Sequence, residues 1–252
     1  TEWAQTKDQE ALRELWQNSL SKILNEFSKR PGIIHTPMSI ELLLDAVSEC
    51  LLEPLNISLI KSYTSLGFKH IKWCIDSLVS LGVLYKIPAF NQDSCISSTP
   101  WPSRGIHKAP KILFRQAGIL HYIHDIKSTT DLRNNSITGK SWVNMVLTSY
   151  LTFCATSIHF SYYKSYNGSH IDTILDSPSG ERWAINLDYC RGFLRFRRHY
   201  YRTMLTVNPD RMFYVFPSVN PKMPSQTHVK ALRRGVEVVD YRKMGRLIMN
   251  FR

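Results

Sequence analysis

The chain reads Ile171-Asp172-Thr173-Ile174-Leu175-Asp176-Ser177-Pro178-Ser179-Gly180-Glu181-Arg182-Trp183-Ala184-Ile185-Asn186-Leu187-Asp188, and this stretch decides the fold of its second half. Two short runs that alternate apolar and polar residues flank a Ser-Pro-Ser-Gly turn, a pattern that predicts a β-hairpin. Side chains alternate along a strand. The spacing therefore predicts that Asp172 on the first strand and Asn186 and Asp188 on the second share one face.

The three polar positions have the spacing of the restriction-endonuclease-like site, Asp-x(n)-[Asp/Glu]-x-Lys. In that site two carboxylates hold Mg²⁺ and the lysine positions the attacking water. Asp172 occupies the first position, Asn186 that of the second acid, and Asp188 that of the lysine. An amide is a poorer Mg²⁺ ligand than a carboxylate, and an anion in place of the lysine inverts the charge beside the scissile phosphate. An ordinary hairpin with a polar outer face is the alternative interpretation.

Three further motifs lie on both sides of the hairpin. They are Pro110-Lys111-Ile112-Leu113-Phe114-Arg115-Gln116-Ala117-Gly118-Ile119-Leu120-His121, Gly139-Lys140-Ser141-Trp142, and Asn208-Pro209-Asp210-Arg211-Met212-Phe213-Tyr214-Val215-Phe216-Pro217. Together with the hairpin, and in this order, they resemble the nuclease-like domain of unknown function that ends some bacterial and archaeal AAA-type ATPases. The resemblance implies a restriction-endonuclease-like domain with a mixed sheet.

The chain also departs from that family at the positions that carry the chemistry. Val143 and His170 stand where the family has acids, Asn186 replaces its glutamate and Asp188 its lysine. Only Asp172 remains of the implied metal site. We therefore expect a vestigial site without catalysis, metal or other cofactor. The alternative is an active Mg²⁺-dependent nuclease that uses Asp172 and Asp188 in a rearranged site.

The first 90 residues predict a helical domain that ends as a winged helix-turn-helix. Helices are predicted over 7–30, 39–52, 57–66 and 68–81, followed by a strand over 83–87. The same order resembles the region that precedes the nuclease-like domain in the ATPase family. Lys69, His70 and Lys72 lie at the amino-terminal end of the candidate recognition helix, where such helices contact DNA. A helical spacer that binds protein is the alternative.

A linker is predicted over residues 91–110, which are rich in Ser, Pro, Gly and Lys, so that the second domain covers 111–252. The predicted fold class is α/β, or α+β overall. Gly139-Lys140-Ser141 imitates the end of a Walker A loop, but Asn134 stands where the loop needs its first glycine. If the ATPase resemblance holds, the ATP-hydrolysing domain is therefore absent from this chain.

Four arginines follow the hairpin on one stripe of a predicted helix, opposite an apolar stripe. They are Arg191, Arg195, Arg198 and Arg202. Each would neutralise one phosphate and release counterions, which gives affinity without sequence preference. The pattern predicts non-specific binding to nucleic acid, with DNA as the foremost candidate. A solvated face of a core helix is the alternative.

Composition supports a polyanionic partner. The 252 residues carry a net charge of +12, although positive charge also serves solubility. A third interpretation is a protein-interaction module whose basic face binds an acidic protein partner. The five cysteines form no Cys-x-x-Cys pair, which favours a reducing, cytoplasmic compartment. No apolar run approaches the ~20 residues of a membrane helix, so we expect no membrane partner. His121 and His124 share a helical face without a third metal ligand nearby in sequence.

Overall fold

The computed structural model describes residues 37–91, 106–154, 157–166, 168–189, 206–217 and 235–251, with isolated positions between 14 and 26 and at 203 and 204. The chain forms two compact units. The first contains Thr1–Lys86 and Ile112–Thr148, and the second contains Ile87–Lys111 and Ser149–Arg252. Most of the predicted helix 7–30, most of the predicted linker and nearly all of the predicted helix that carries the arginines lie outside the described residues.

Three helices follow one another in the first unit. They are α1 (Pro37–Glu49), α2 (Ile57–Thr64) and α3 (Phe68–Ser80). The Asn56 side chain accepts the backbone N–H of Leu59 and so caps α2 at its start, while Ser65 ends this helix in the left-handed conformation. The predicted helices over 39–52, 57–66 and 68–81 are confirmed, with ends that shift by up to three residues.

A tight turn leads from α3 into strand β1 (Leu84–Ile87), which pairs with β2 (Lys111–Phe114) in a two-stranded sheet. Gly82 adopts a φ of +71° in this turn, and a Cβ there would lie 2.6 Å from the Arg115 guanidinium. Glycine adopts this positive φ without strain, whereas the Arg115 guanidinium, at the end of a flexible side chain, could shift away from a Cβ. The backbone N–H of Arg115 donates to the Val83 carbonyl and extends the pairing.

The remaining helices of the first unit are α4 (Ala117–Ile123), α5 (Thr129–Asn134) and the start of α6 (Thr138–Phe153). Residues 112–148 belong to the first unit in the structure, whereas the sequence pattern predicts them in the second domain. The physical reason is a shared hydrophobic core. The core side chains from this segment, which are buried with those of α1–α3, are Ile112, Phe114, Ile119, Leu120 and Ile137.

The second unit contains a five-stranded mixed sheet in the order β3-β4-β5-β6-β7. The strands are β3 (His159–Lys164), β4 (His170–Asp176), β5 (Arg182–Leu187), β6 (Arg211–Phe216) and β7 (Val236–Asp240), and helix α7 (Tyr241–Met249) follows. The first three strands pair antiparallel, and β5, β6 and β7 pair parallel. The predicted hairpin is confirmed as β4–β5, and the α+β class is confirmed for the chain.

Apolar residues cover both faces of the sheet. On one face the Trp183 ring lies 5.1 Å from that of Phe213 and 4.2 Å from that of Phe251, centroid to centroid. Its neighbour Ala184 points to the other face, where it belongs to a second cluster with Ile174 and other buried side chains. The sheet is therefore a rigid platform for any polar side chain that projects from its strands.

Candidate functional site

Asp172 and Asn186 lie opposite each other across the antiparallel pair β4–β5, because Thr173 pairs with Ile185. The backbone N–H of Asp172 donates to Asn186 Oδ1 at 3.3 Å. The backbone N–H of Leu187 donates to Asp172 Oδ2 at 2.9 Å. The side chains of both predicted site residues are thus bonded to the backbone of the facing strand.

A buried lysine completes the surroundings of Asp172. Lys111, at the start of β2, places its Nζ 3.8 Å from Asp172 Oδ1, and its side chain is 2% exposed. The ammonium also lies 4.7 Å from the centroid of the Tyr162 ring, whose hydroxyl donates to the Ala109 carbonyl. A buried ammonium is costly unless an anion and polarisable groups surround it. Asp172 supplies that anion.

Tyr214 joins the two predicted aspartates on the same face. It pairs with Asn186 in the parallel register of β5 and β6, so both side chains point the same way. Burial raises the pKa of the Tyr214 hydroxyl to about 12, and the nearby charges of Asp172 and Asp188 add to the rise. The backbone N–H of Asp188 donates to the Val215 carbonyl. The structure therefore brings Asp172, Asn186 and Asp188 together as the spacing predicted.

We call Lys111, Asp172, Asn186, Asp188 and Tyr214 the sheet polar cluster. It combines two aspartates, one lysine and one asparagine with the neutral phenol of Tyr214. Within the described ranges no group of three or more His, Cys, Asp or Glu side chains is arranged to hold a metal ion. Each oxygen of Asp172 already faces a protein cation or an N–H donor. A metal ion would have to displace these partners.

The second group of predicted residues lies on the outer face of α3. Lys69 and Lys72 are exposed, and the buried side of the helix carries Ile71 and Ile75. The His70 ring is half-buried and meets the Trp73 ring edge-on at 6.3 Å. The predicted placement of these polar residues at the start of the helix is therefore observed.

Two aromatic rings that sequence reasoning missed accompany the lysines. Phe68 is 50% exposed and Trp73 is 37% exposed. The Lys61 ammonium of α2 lies 5.0 Å from the Phe68 ring centroid. We call Lys61, Phe68, Lys69, Lys72 and Trp73 the α2–α3 surface. The sequence does indicate the two rings, because the helical periodicity of α3 places Phe68 and Trp73 on the solvent side.

The electrostatics of this surface are one-sided. The sequence contains no acidic residue between Glu53 and Asp76. Asp76 itself forms an ion pair with Lys86 of β1. The segment that builds the surface therefore contributes only positive charge to it, which suits a polyanion.

The other candidates have separate outcomes. Arg191, Arg195, Arg198 and Arg202 lie outside the described residues, so their stripe stays a prediction. His121 is buried, and its Nε2 lies 2.6 Å from the Ser141 Oγ. Burial, with a smaller contribution from His124, lowers the pKa of His121 to about 4. This imidazole is neutral at physiological pH and serves the packing of the first unit.

Residues 2–130 match the model of a family described as a domain of unknown function, DUF8612. No curated protein and no solved structure matches the chain. In the part of the chain that the structure describes, no helix has the length and apolar character needed to cross a membrane. The cysteines in that part, Cys50, Cys74 and Cys154, are free thiols.

Proposed function

This chain belongs to the family of the domain of unknown function DUF8612, and we propose that it is a non-catalytic, nucleic-acid-binding module of an AAA-type ATPase. In this proposal α1–α3 with β1 and β2 form a winged helix, and the five-stranded sheet forms a nuclease-like domain with a decayed site. The four ordered motifs between residues 110 and 217 support the ATPase relationship. The α2–α3 surface supports the binding role of the first unit, and the sheet polar cluster supports the non-catalytic role of the second.

The observation that carries the binding function is the outer face of α3. Lys69 and Lys72 are exposed at its amino-terminal half, one helical turn apart, and no acid interrupts the segment. The amino-terminal half of a recognition helix is the part that approaches nucleic acid in winged-helix proteins. Lysines placed there neutralise phosphates and release counterions, which gives binding that is independent of sequence.

The sheet polar cluster supports the non-catalytic half of the proposal. A nuclease site of this type needs carboxylates that are open to Mg²⁺, which prefers several oxygen ligands and dehydrates reluctantly. Asp172 instead faces Lys111 and the Leu187 N–H, and Asn186 has an amide where the second carboxylate belongs. The carboxylate of Asp172 is therefore already paired with a protein cation rather than open to a metal ion.

The mixed sheet supports the relationship to the nuclease-like fold. Helix α6 precedes an antiparallel meander, β3-β4-β5, that carries Asp172 on its middle strand. The chain then returns to β6, parallel to β5. The acid and the two following polar residues share one face of this sheet, and this shared face supports the proposed relationship.

One observation favours a second candidate, an active nuclease with a rearranged site. Lys111 supplies, from another strand, the cation that the motif lacks at position 188. Asp172 and Asp188 would then be the metal ligands. This candidate requires a metal ion to enter the cluster and to displace the ammonium from Asp172.

A binding and cleavage assay on one sample separates these functions. The chain is incubated with labelled duplex and single-stranded DNA, with and without Mg²⁺, and analysed on native and denaturing gels. With the wild-type chain we expect retarded bands on the native gel and intact DNA on the denaturing gel. The double variant Lys69→Ala with Lys72→Ala should retard the DNA less. Lys127→Ala, which removes an exposed lysine paired with Asp125, is the matched control. Mg²⁺-dependent cleavage that is lost in Asp172→Ala would support the second candidate instead.

A further inference from the structure

We propose that the α2–α3 surface binds unpaired, single-stranded nucleic acid, with bases stacked on Phe68 and Trp73 and phosphates held by Lys61, Lys69 and Lys72. This inference rests on the proposed nucleic-acid-binding function and specifies the class of nucleic acid. It assigns a role to two rings that phosphate contacts alone leave unexplained.

Several large apolar side chains are exposed on and around the α2–α3 surface. In the described part of the chain, the segment from Leu59 to Trp73 holds four that are at least 36% exposed. Two of them, Phe68 and Trp73, lie on α3 among lysines, and Tyr63 of α2 is 55% exposed. Concentrated apolar exposure of this kind marks an interaction surface.

Aromatic rings and ammonium groups alternate along α3. Phe68 and Lys72 are one helical turn apart, and so are Lys69 and Trp73, so these four side chains share one side of the helix. Phe68 and Trp73 are five residues apart, which is about 7.5 Å along the axis. The two rings are therefore separate stacking positions on the same helix.

Neighbouring side chains orient both rings before a base binds. The Lys61 ammonium lies over the Phe68 ring, and the His70 ring meets the Trp73 ring edge-on. Contacts of this type restrict side-chain rotation, so less conformational freedom is lost when a base stacks. The exposed part of each ring remains able to receive a partner.

Single-stranded nucleic acid fits this surface better than the other polyanions. The π faces of bases are covered in a duplex, so a duplex would contact the lysines but would not stack on either ring. An acidic polypeptide would also use the lysines, but it offers no flat ring system of matching size. Stacking on aromatic side chains is tolerant of sequence because every base has a π face.

The test measures fluorescence anisotropy of the intact chain with a labelled oligothymidylate of about 15 nucleotides and with a mixed-sequence duplex. Wild type binds the single strand more tightly than the duplex. Phe68→Leu with Trp73→Leu keeps apolar side chains but removes the rings, and lowers single-strand affinity by about 5- to 150-fold per ring. It leaves duplex affinity and the salt dependence unchanged. Tyr166→Leu, at an exposed aromatic residue of the second unit, is the control.

Three other outcomes of this experiment would contradict the inference. Equal binding of both probes with no effect of the ring variant overturns this inference and leaves the proposed function standing. Absence of binding to either probe at low salt overturns the proposed function itself. Ring-dependent binding of polyglutamate that competes with the single strand replaces the nucleic acid with an acidic protein partner. Far-ultraviolet circular dichroism of each variant checks that the helices remain folded.

Discussion

The Nζ of Lys111 lies 3.8 Å from Oδ1 of Asp172, and both side chains are largely removed from water. The two residues are far apart in sequence, since Lys111 begins β2 and Asp172 lies in β4. An ion pair in such surroundings stabilises little compared with an apolar pair, but loss of one partner leaves a buried charge. This pair therefore acts as a positional constraint within the second unit.

Replacement of Lys111 by methionine should destabilise the protein. The carboxylate of Asp172 loses its counter-ion in a site from which water is mostly excluded. We expect a decrease of about 2–3 kcal/mol in the free energy of unfolding, measured by urea denaturation. The double variant Lys111→Met with Asp172→Asn should recover most of that loss, because no buried charge remains and the amide still accepts the Leu187 N–H.

An exposed ion pair provides the control for this cycle. Lys127 and Asp125 are 3.0 Å apart with side chains that are 56% and 63% exposed. Lys127→Ala should change the free energy of unfolding by less than about 1 kcal/mol. A Lys111→Met variant as stable as wild type would contradict the role given to the buried pair.

Restoration of the family residues should restore affinity for metal. Wild type is expected neither to bind Mg²⁺ measurably nor to cleave DNA or RNA. Asn186→Glu with Asp188→Lys adds a carboxylate opposite Asp172 and a cation two residues on, which is the arrangement that Mg²⁺-dependent nucleases use. Isothermal titration calorimetry with Mg²⁺ would detect the difference. Failure of the double variant to bind Mg²⁺ would count against descent of this site from a nuclease.

Acid should destabilise the first unit through His121. Burial lowers the pKa of this imidazole to about 4 in the folded state, against an ordinary value of 6.5. Between these two values the unfolded chain binds a proton that the folded chain does not, so stability falls as the pH falls from about 6.5 to about 4. The difference corresponds to about 3 kcal/mol.

Two histidine variants test this pH dependence. His121→Gln should reduce the loss of stability between pH 7 and pH 4.5, because the titrating group is gone. His170→Gln removes an exposed imidazole and should leave that loss unchanged. Chemical denaturation at the two pH values measures both. An equal pH dependence in wild type and His121→Gln would contradict the prediction.

The arginine stripe remains a prediction from sequence, and it has its own test. Arg195→Ala with Arg198→Ala should weaken binding to any duplex about equally and lower the salt slope by roughly two units, since each phosphate contact contributes about 0.9. Lys69→Ala with Lys72→Ala gives the comparison. If the lysine pair alone lowers the slope, the α2–α3 surface dominates and the arginines form a solvated face.

Local sequence patterns predicted helices α1, α2 and α3 and the β4–β5 hairpin. Helical periodicity and the break at Gly67 located α2 and α3, and the Ser-Pro-Ser-Gly turn located the β4–β5 hairpin. The alternation of side chains along strands placed Asp172 and Asn186 on one face. Each of these features depends on residues that are close in sequence.

Contacts between segments that are distant in sequence could not be predicted from local patterns. The pairing of β2 with β1 and the approach of Lys111 to Asp172 depend on tertiary packing, which local patterns do not encode. One signal for the lysine was present. Lys111 precedes the apolar run 112–114, and a lysine buried at such a position needs an anionic partner. The position of Tyr214 beside Asn186 depends on the parallel register of β6 on β5, which local patterns do not predict.

The most direct test of the nucleic-acid-binding role is the salt dependence of binding by the intact wild-type chain. Anisotropy of a labelled mixed-sequence oligonucleotide is recorded at several salt concentrations, and the probe is recovered afterwards from a sample with Mg²⁺. We predict binding at low salt, a log–log slope of about −2 or steeper from three lysine contacts, and an intact probe. Absence of binding at low salt, despite a net charge of +12, would contradict the account.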